Sequence, residues 1–235
     1  MVSNNFIALL IVFGVSVAWL RLNDFTAHRG WISSQLSRKM IHMGTGPLYV
    51  LCWPLFTDSI YSRYLAALVP LVITIQFILV GVGVIKDQAA VQAMSRTGNP
   101  REILRGPLFY GIIFVLLTII YWYDSPTGIV ALMLMCGGDG LADILGRRYG
   151  TIKLPWNADK SWLGSLGMLL GGWCFAALVL AVFVALGIFP SPWFDYLPAI
   201  TVIALVGTLV ESIPIHDFDN ITVTLSAIVT GHLFW

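Results

Sequence analysis

The chain alternates between long apolar runs and short polar breaks. Stretches free of Asp, Glu, Lys and Arg cover 1–20, 40–57, 64–85, 106–123, 125–138, 161–194, 196–210 and 220–235. About 20 consecutive apolar residues carry a helix across the hydrocarbon core. Inside that core only helices and closed barrels satisfy every backbone polar group. The runs therefore predict membrane-spanning helices. Run 161–194 holds one span, ending near Gly187-Ile188-Phe189-Pro190-Ser191-Pro192, because proline cannot extend a helical ladder. Runs 125–138 and 196–210 reach span length only by taking in Asp139 and Asp143, and Glu211. The expectation is an all-α polytopic membrane protein, one transmembrane helical domain over 1–235 without a soluble domain. It has about eight spans, with seven as the alternative.

Composition agrees and excludes other classes. Of the 235 residues, 58% are hydrophobic and 11% charged, against about 25% charged in soluble chains. A mean hydropathy of +0.85 leaves no room for a soluble domain, a disordered chain or a coiled coil. A net charge of +1 without a basic block argues against nucleic-acid binding. Cys52, Cys136 and Cys174 stand alone in apolar runs and read as small buried hydrophobes. The first 20 residues lack a basic leader and a small-residue cleavage site, so they read as a retained span. Of the 13 basic residues, 12 fall into three clusters: Arg21, Arg29, Arg38 and Lys39; Lys86, Arg96, Arg101 and Arg105; Arg147, Arg148, Lys153 and Lys160. Only Arg63 lies on the opposite side of the eight-span arrangement. That asymmetry places the basic face in the cytoplasm or stroma and both termini on the other side.

The ionisable groups nearest membrane depth share that face. Lys39 and His42 open the second run in RKMIHMGTG. Asp139 and Asp143 end the fifth in CGGDGLADILGRRYG. Glu211, Asp217, Asp219 and Asn220 follow in VESIPIHDFDN. Ionisable groups at such depth are expensive and point to function. A single cleft walled by spans two, five, seven and eight accounts for them. Asp139 and Asp143 lie one helical turn apart on one face. Mg²⁺ suits such a pair, because it takes one or two carboxylates and completes its shell with water and phosphate. Gly137, Gly138 and Gly140 make sense where backbone must approach a ligand closely. Arg147, Arg148, Lys160 and Ser161, the last two after a short loop, add groups for phosphate.

Plainer readings compete. Asp143 and Arg147 fit a structural i,i+4 ion pair, and His42 fits an interior histidine. Arg147 and Arg148 fit topology anchors. The nine tryptophans fit an interfacial belt. Asp24, Asp58, Asp87, Asp124 and Asp195 read as solvated loop residues. Paired carboxylates could also hold a coupling ion in a small membrane transporter, although no mid-span polar stripe or inverted repeat supports one.

Four segments resemble the polyprenol kinase family, distantly related to the phosphatidate cytidylyltransferases. GDGLADILGRRYG followed by KSWLGSLGM is similar to its G-D-x-x-A-x-x-x-G-R-x-x-G and K-[ST]-x-x-G-S signature. RKMIHMGTG resembles the R-K-x-x-H-x-x-x-G segment. SRTGNPREILRGPLFY and VESIPIHDFDNITVTLS resemble segments of the phytol kinases within that family. Together they cover about a third of the chain, in the family's order.

The resemblance implies transfer of the γ-phosphoryl group of CTP to a long-chain isoprenoid alcohol drawn from the bilayer. Phytol is the first candidate, within phytol salvage for tocopherol biosynthesis. It implies a multi-pass protein of a cyanobacterial-type or chloroplast membrane, with the site facing cytoplasm or stroma. Asp139 and Asp143 would hold Mg²⁺. Asp139, Asp143, Lys160 and Asp219 would be catalytic, with Asp219 or Asp139 accepting the alcohol proton. Lys39, Arg147, Arg148, Lys160, Ser161 and Asn220 would bind nucleotide, and His42 and Glu211 substrate. Cytidylyltransfer is the alternative enzyme reading. Its C-terminal signature carries lysines, whereas here HDFDN runs into an apolar tail without Lys or Arg, which favours phosphoryl transfer.

Overall fold

The computed structural model describes residues 4–95, 97–214 and 218–235, with the side chain of Ser34 left aside. Arg96 of the second basic cluster and Asp217 of the acidic segment lie outside the described residues. The chain forms two compact units, Met1–Ile120 and Tyr121–Trp235.

The first unit contains α1 (Asn5–His28), α2 (Ser34–Leu51), α3 (Ser62–Gly81), the short α4 (Gln88–Met94) and α5 (Gly106–Ile120). A 3-10 turn over Pro100–Leu104 leads into α5. Side-chain caps start three of the helices: Asn4 accepts from Phe6 N–H, Ser33 from Leu36 N–H, and Asp87 from Ala90 N–H. Asn5 ties α1 to the loop before α3, accepting from the Thr57 amide and hydroxyl and donating to Ser62 Oγ. Trp53, Phe56 and Ile103 are fully buried in this unit. Asp24 departs from the solvated reading. It lies inside α1, 9% exposed, with Arg21 at 3.5 Å. Arg21 also reaches Asp87 at 3.3 Å.

The second unit opens with α6 (Pro126–Met133), started by a Ser125 cap and a proline at its first position. A π turn over Leu134–Gly138 follows and runs directly into α7 (Asp139–Tyr149). A small antiparallel hairpin, β1 (Lys153–Leu154) and β2 (Asn157–Ser161), connects α7 to α8 (Trp162–Ala185). Helices α9 (Trp193–Glu211) and α10 (Asp219–Gly231) complete the unit. The hairpin is the one departure from an all-helical reading among the described residues. Its strand NADKS is almost wholly polar, so no apolar alternation announced it.

Helices α7 and α8 pack antiparallel at close range. A Cβ on Gly167 would meet the Leu141 carbonyl oxygen at 2.9 Å, and one on Gly146 would meet Gly164 Cα at 3.3 Å. A Cβ on Gly171 would overlap the Gly137 carbonyl oxygen. Gly137 and Gly138 are buried against Phe175 and Met168 of α8. The expectation that these two glycines admit a ligand is thus corrected: they admit the neighbouring helix. Close approach of small residues strengthens packing where lipid removes the hydrophobic drive between helices.

Among the described residues, six helical segments are long and apolar enough to cross a membrane: Asn5–His28, Ser62–Gly81, Pro100–Ile120, Pro126–Tyr149, Trp162–Ala185 and Trp193–Glu211. The architecture is that of an all-α membrane protein, but the count of about eight, or seven, is not met. The charge-free run 40–57 covers the last two thirds of α2, then a 3-10 turn and loop, while the first half of α2 carries Arg38, Lys39 and His42. The final run yields a helix of 13 residues, about 20 Å long at 1.5 Å per residue. Two further readings change. Trp53 and Trp122 are core residues rather than belt members, and Cys174 is exposed on α8 while Cys136 is buried.

Candidate functional site

The second unit brings three separated sequence segments to one ammonium group. Lys160, near the end of β2, ion-pairs with Glu211 at the C-terminal end of α9 and lies 3.1 Å from Asp219 at the start of α10. Asp139, the first residue of α7, is close enough for its charge to act on both Lys160 and Glu211. The π turn just before Asp139 inserts an extra residue, so α7 presents a different face from the one α6 would continue. A regular helix from 126 onward would aim this carboxylate elsewhere.

Burial is uneven across the cluster. The side chain of Glu211 is 3% exposed, against 25% for Lys160 and 30% for Asp219. Burial disfavours the Lys160 ammonium. The carboxylates of Glu211 and Asp219 outweigh that, with Asp139 adding to them, and hold its pKa above the ordinary 10.5. One oxygen of Glu211 is taken by Lys160. The other, Oε2, is buried without a hydrogen-bond partner among the described residues. An ionised oxygen left in that condition is costly, and such groups call for an explanation.

The hairpin is stitched to the end of α9. Asn157 Nδ2 donates to the Ser212 carbonyl at 3.1 Å, and Trp156 Nε1 donates to Ser212 Oγ at 3.2 Å. These two residues hold the strand that carries Lys160 beside the helix that carries Glu211. Sequence reasoning missed Asn157 and Ser212 and placed Trp156 in the belt. The only available signal was the closeness of Asn157 and Ser212 to motif residues.

The other expected site residues divide. Asp143 is ion-paired with Arg147 one turn on, as in the structural alternative, and Arg147 is exposed. Arg148 is exposed, with its guanidinium 5.4 Å from the Tyr149 ring centroid. Ser161 Oγ accepts from Gly164 N–H and so caps α8. Asn220 lies in the first turn of α10, and its carbonyl accepts from Thr224 Oγ1. Lys39 and His42 belong to α2 of the first unit. There the His42 ring lies 4.5 Å from that of Tyr110, whose hydroxyl donates to the His42 carbonyl at 2.6 Å.

Among the described residues no group of three or more His, Cys, Asp and Glu side chains converges to cage a metal ion. Magnesium does not need a cage, because one or two carboxylates and substrate phosphates suffice. Carboxylate oxygens around Lys160, one of them the unpartnered Glu211 Oε2, fit an ion of that kind.

No family model matches the chain, and no solved structure matches it. Curated proteins do. The chain is 41% identical over 230 residues to probable phytol kinase 1, chloroplastic, of Oryza sativa subsp. japonica, covering 97% of this chain and 73% of that protein. It is 39% identical to the probable phytol kinase, chloroplastic, of Triticum aestivum, covering 97% and 77%. To phytol kinase 1, chloroplastic, of Arabidopsis thaliana it is 37% identical, covering 96% and 75%.

Proposed function

The chain belongs to the phytol kinase family, and from that membership we propose that it transfers the γ-phosphoryl group of CTP to the hydroxyl of a long-chain isoprenoid alcohol, phytol first. The membrane is then of chloroplast or cyanobacterial type, and the product, phytyl phosphate, serves tocopherol biosynthesis. The observation that carries this reading is the meeting of Lys160 with Glu211, Asp219 and Asp139. These residues come from the very segments that resemble the polyprenol kinase motifs, although up to 80 positions separate them.

Phosphoryl transfer needs positioning and charge neutralisation more than covalent catalysis by the protein. The alcohol oxygen forms a bond to the γ-phosphorus, the bridging oxygen leaves with CDP, and the hydroxyl proton passes to a carboxylate. Asp139 or Asp219 accepts that proton. Lys160 offers an ammonium to the γ-phosphoryl oxygens, and Arg147 and Arg148 offer exposed guanidiniums to the outer part of the triphosphate. Magnesium, when bound, would neutralise charge on the triphosphate, and the carboxylates around Lys160, Asp139 among them, would hold it. Ser161 contributes by capping α8 directly after Lys160. Asn220 and Glu211 orient nucleotide and metal-bound groups.

The basic clusters orient the site. We take the side carrying the third cluster, Arg147, Arg148, Lys153 and Lys160, as the cytoplasmic or stromal one. CTP then arrives from water and the prenol from the bilayer. The test uses membranes from a host lacking the activity, supplied with phytol, farnesol, geranylgeraniol or phosphatidate and with CTP labelled on the γ-phosphorus or on cytosine. A γ-labelled prenyl phosphate is expected. Cytosine label in the lipid would establish cytidylyltransfer instead, and no labelled lipid would end both readings.

A further inference from the structure

Two carboxylates, Glu211 and Asp219, contact the same nitrogen, Lys160 Nζ. A cation placed where that nitrogen sits would touch an oxygen from each. Glu211 is the most buried member, and its second oxygen has no hydrogen-bond partner among the described residues. The carboxylate expected to share the ion with Asp139, Asp143, is instead engaged by Arg147. Asp139 adds a third carboxylate whose charge acts on Lys160 and Glu211, and an incoming triphosphate meets these carboxylates more readily with a cation of its own.

We infer that Glu211 and Asp219 form the seat of the divalent ion that accompanies the nucleotide, and that the Lys160 ammonium holds this seat in the nucleotide-free protein. When the metal–nucleotide complex arrives, the ion takes the carboxylates and Lys160 is released toward the γ-phosphate. Lys160 thus serves twice, as a stand-in cation at rest and as a phosphate ligand when loaded. The exchange also keeps the buried Glu211 paired in both states. This inference rests on the phosphoryl-transfer reading only for the identity of the ion's partner.

The experiment measures Mn²⁺ binding, by the electron paramagnetic resonance signal of free Mn²⁺, to the full chain in phosphatidylcholine nanodiscs. Without nucleotide, Lys160→Met should bind Mn²⁺ at least tenfold more tightly than wild type, because the seat is vacated. Lys160→Met/Glu211→Gln should lose that gain. In wild type, CDP should tighten Mn²⁺ binding about tenfold. Glu211→Gln should abolish this coupling, whereas Asp143→Asn should keep it within twofold. Mn²⁺ binding by Lys160→Met no tighter than wild type overturns the inference, as does coupling that survives Glu211→Gln but is lost in Asp143→Asn. Should Glu211→Gln fail to fold, Glu211→Asp serves, and the Lys160→Met comparison stands alone in any case. If prenol labelling fails while this Mn²⁺ pattern holds, the seat survives and the kinase reading falls. If labelling succeeds and Lys160→Met leaves Mn²⁺ binding unchanged, the inference alone falls.

Discussion

Replacing Lys160 with methionine removes the ammonium that pairs with both Glu211 and Asp219 while keeping most of the apolar stem. The cost is set by what stays behind. Glu211 is 3% exposed, so its charge cannot be relieved by water. Breaking a buried pair by deleting one partner costs about 3–5 kcal/mol. Lys160 is a quarter exposed, which favours the lower end, about 3 kcal/mol. Asp219, at 30% exposure, adds at most about 1 kcal/mol. Glu211→Gln in the same chain removes the stranded charge, so the double variant should recover most of the loss. A double-mutant cycle of thermal unfolding in detergent, with chelator present to keep divalent ions out, reads the coupling, expected at about 2 kcal/mol. Lys160→Met should melt well below wild type, and the double variant should regain at least half of the difference. Equal melting temperatures for wild type and Lys160→Met would show that the pair contributes nothing, and would refute the burial argument.

Four further outcomes are expected. Asp139→Asn should lower prenol phosphorylation roughly a hundredfold, in the range typical of lost transition-state electrostatics, with the melting temperature unchanged; near-wild-type turnover removes Asp139 from the chemistry. Arg147→Ala breaks an i,i+4 pair worth no more than about 0.5 kcal/mol, so stability should hold while the KM for CTP rises about tenfold; an unchanged KM assigns the pair to structure alone. Gly171→Val forces a side chain onto the Gly137 backbone and the Leu141 side chain. Overpacking of that kind costs about 1–3 kcal/mol, and because Asp139 follows directly after the strained turn, activity should fall with the melting temperature. Finally, the Lys160 pKa lies above 10.5. Its charged form, and the stability it brings, is fully present below the unfolded value and is lost only as pH rises through the folded one. CTP binding should therefore show no basic limb from Lys160 between pH 6 and about 9; a loss of affinity near pH 8 that disappears in Lys160→Met would contradict the ion-pair geometry.

Much of the architecture could be read in advance because hydrophobic span length is a property of consecutive residues. Segments such as Ser62–Gly81 and Trp162–Ala185 stand out by apolar content alone. The failures came where a charge-free run did not coincide with a helix. Run 40–57 hides a helix end at Leu51 and a 3-10 turn over Trp53–Leu55. Asp24, taken for a loop residue, lies inside α1, 9% exposed, with Arg21 three residues earlier on the same face.

Apolar run length, the clustering of Lys and Arg, and the choice of Asp139, Lys160, Glu211 and Asp219 as chemically eloquent residues all follow from local sequence, since each depends on residue type and short spacing. Which carboxylates meet the lysine does not. That depended on a π turn before α7, on glycines that let α7 and α8 touch, and on a polar hairpin stitched to Ser212. The last two are contacts between segments distant in the chain, and the energy of such contacts exists only once the helices have packed. Asp139 and Asp143 look equivalent as letters four apart, yet one joins the buried lysine cluster and the other takes an exposed arginine.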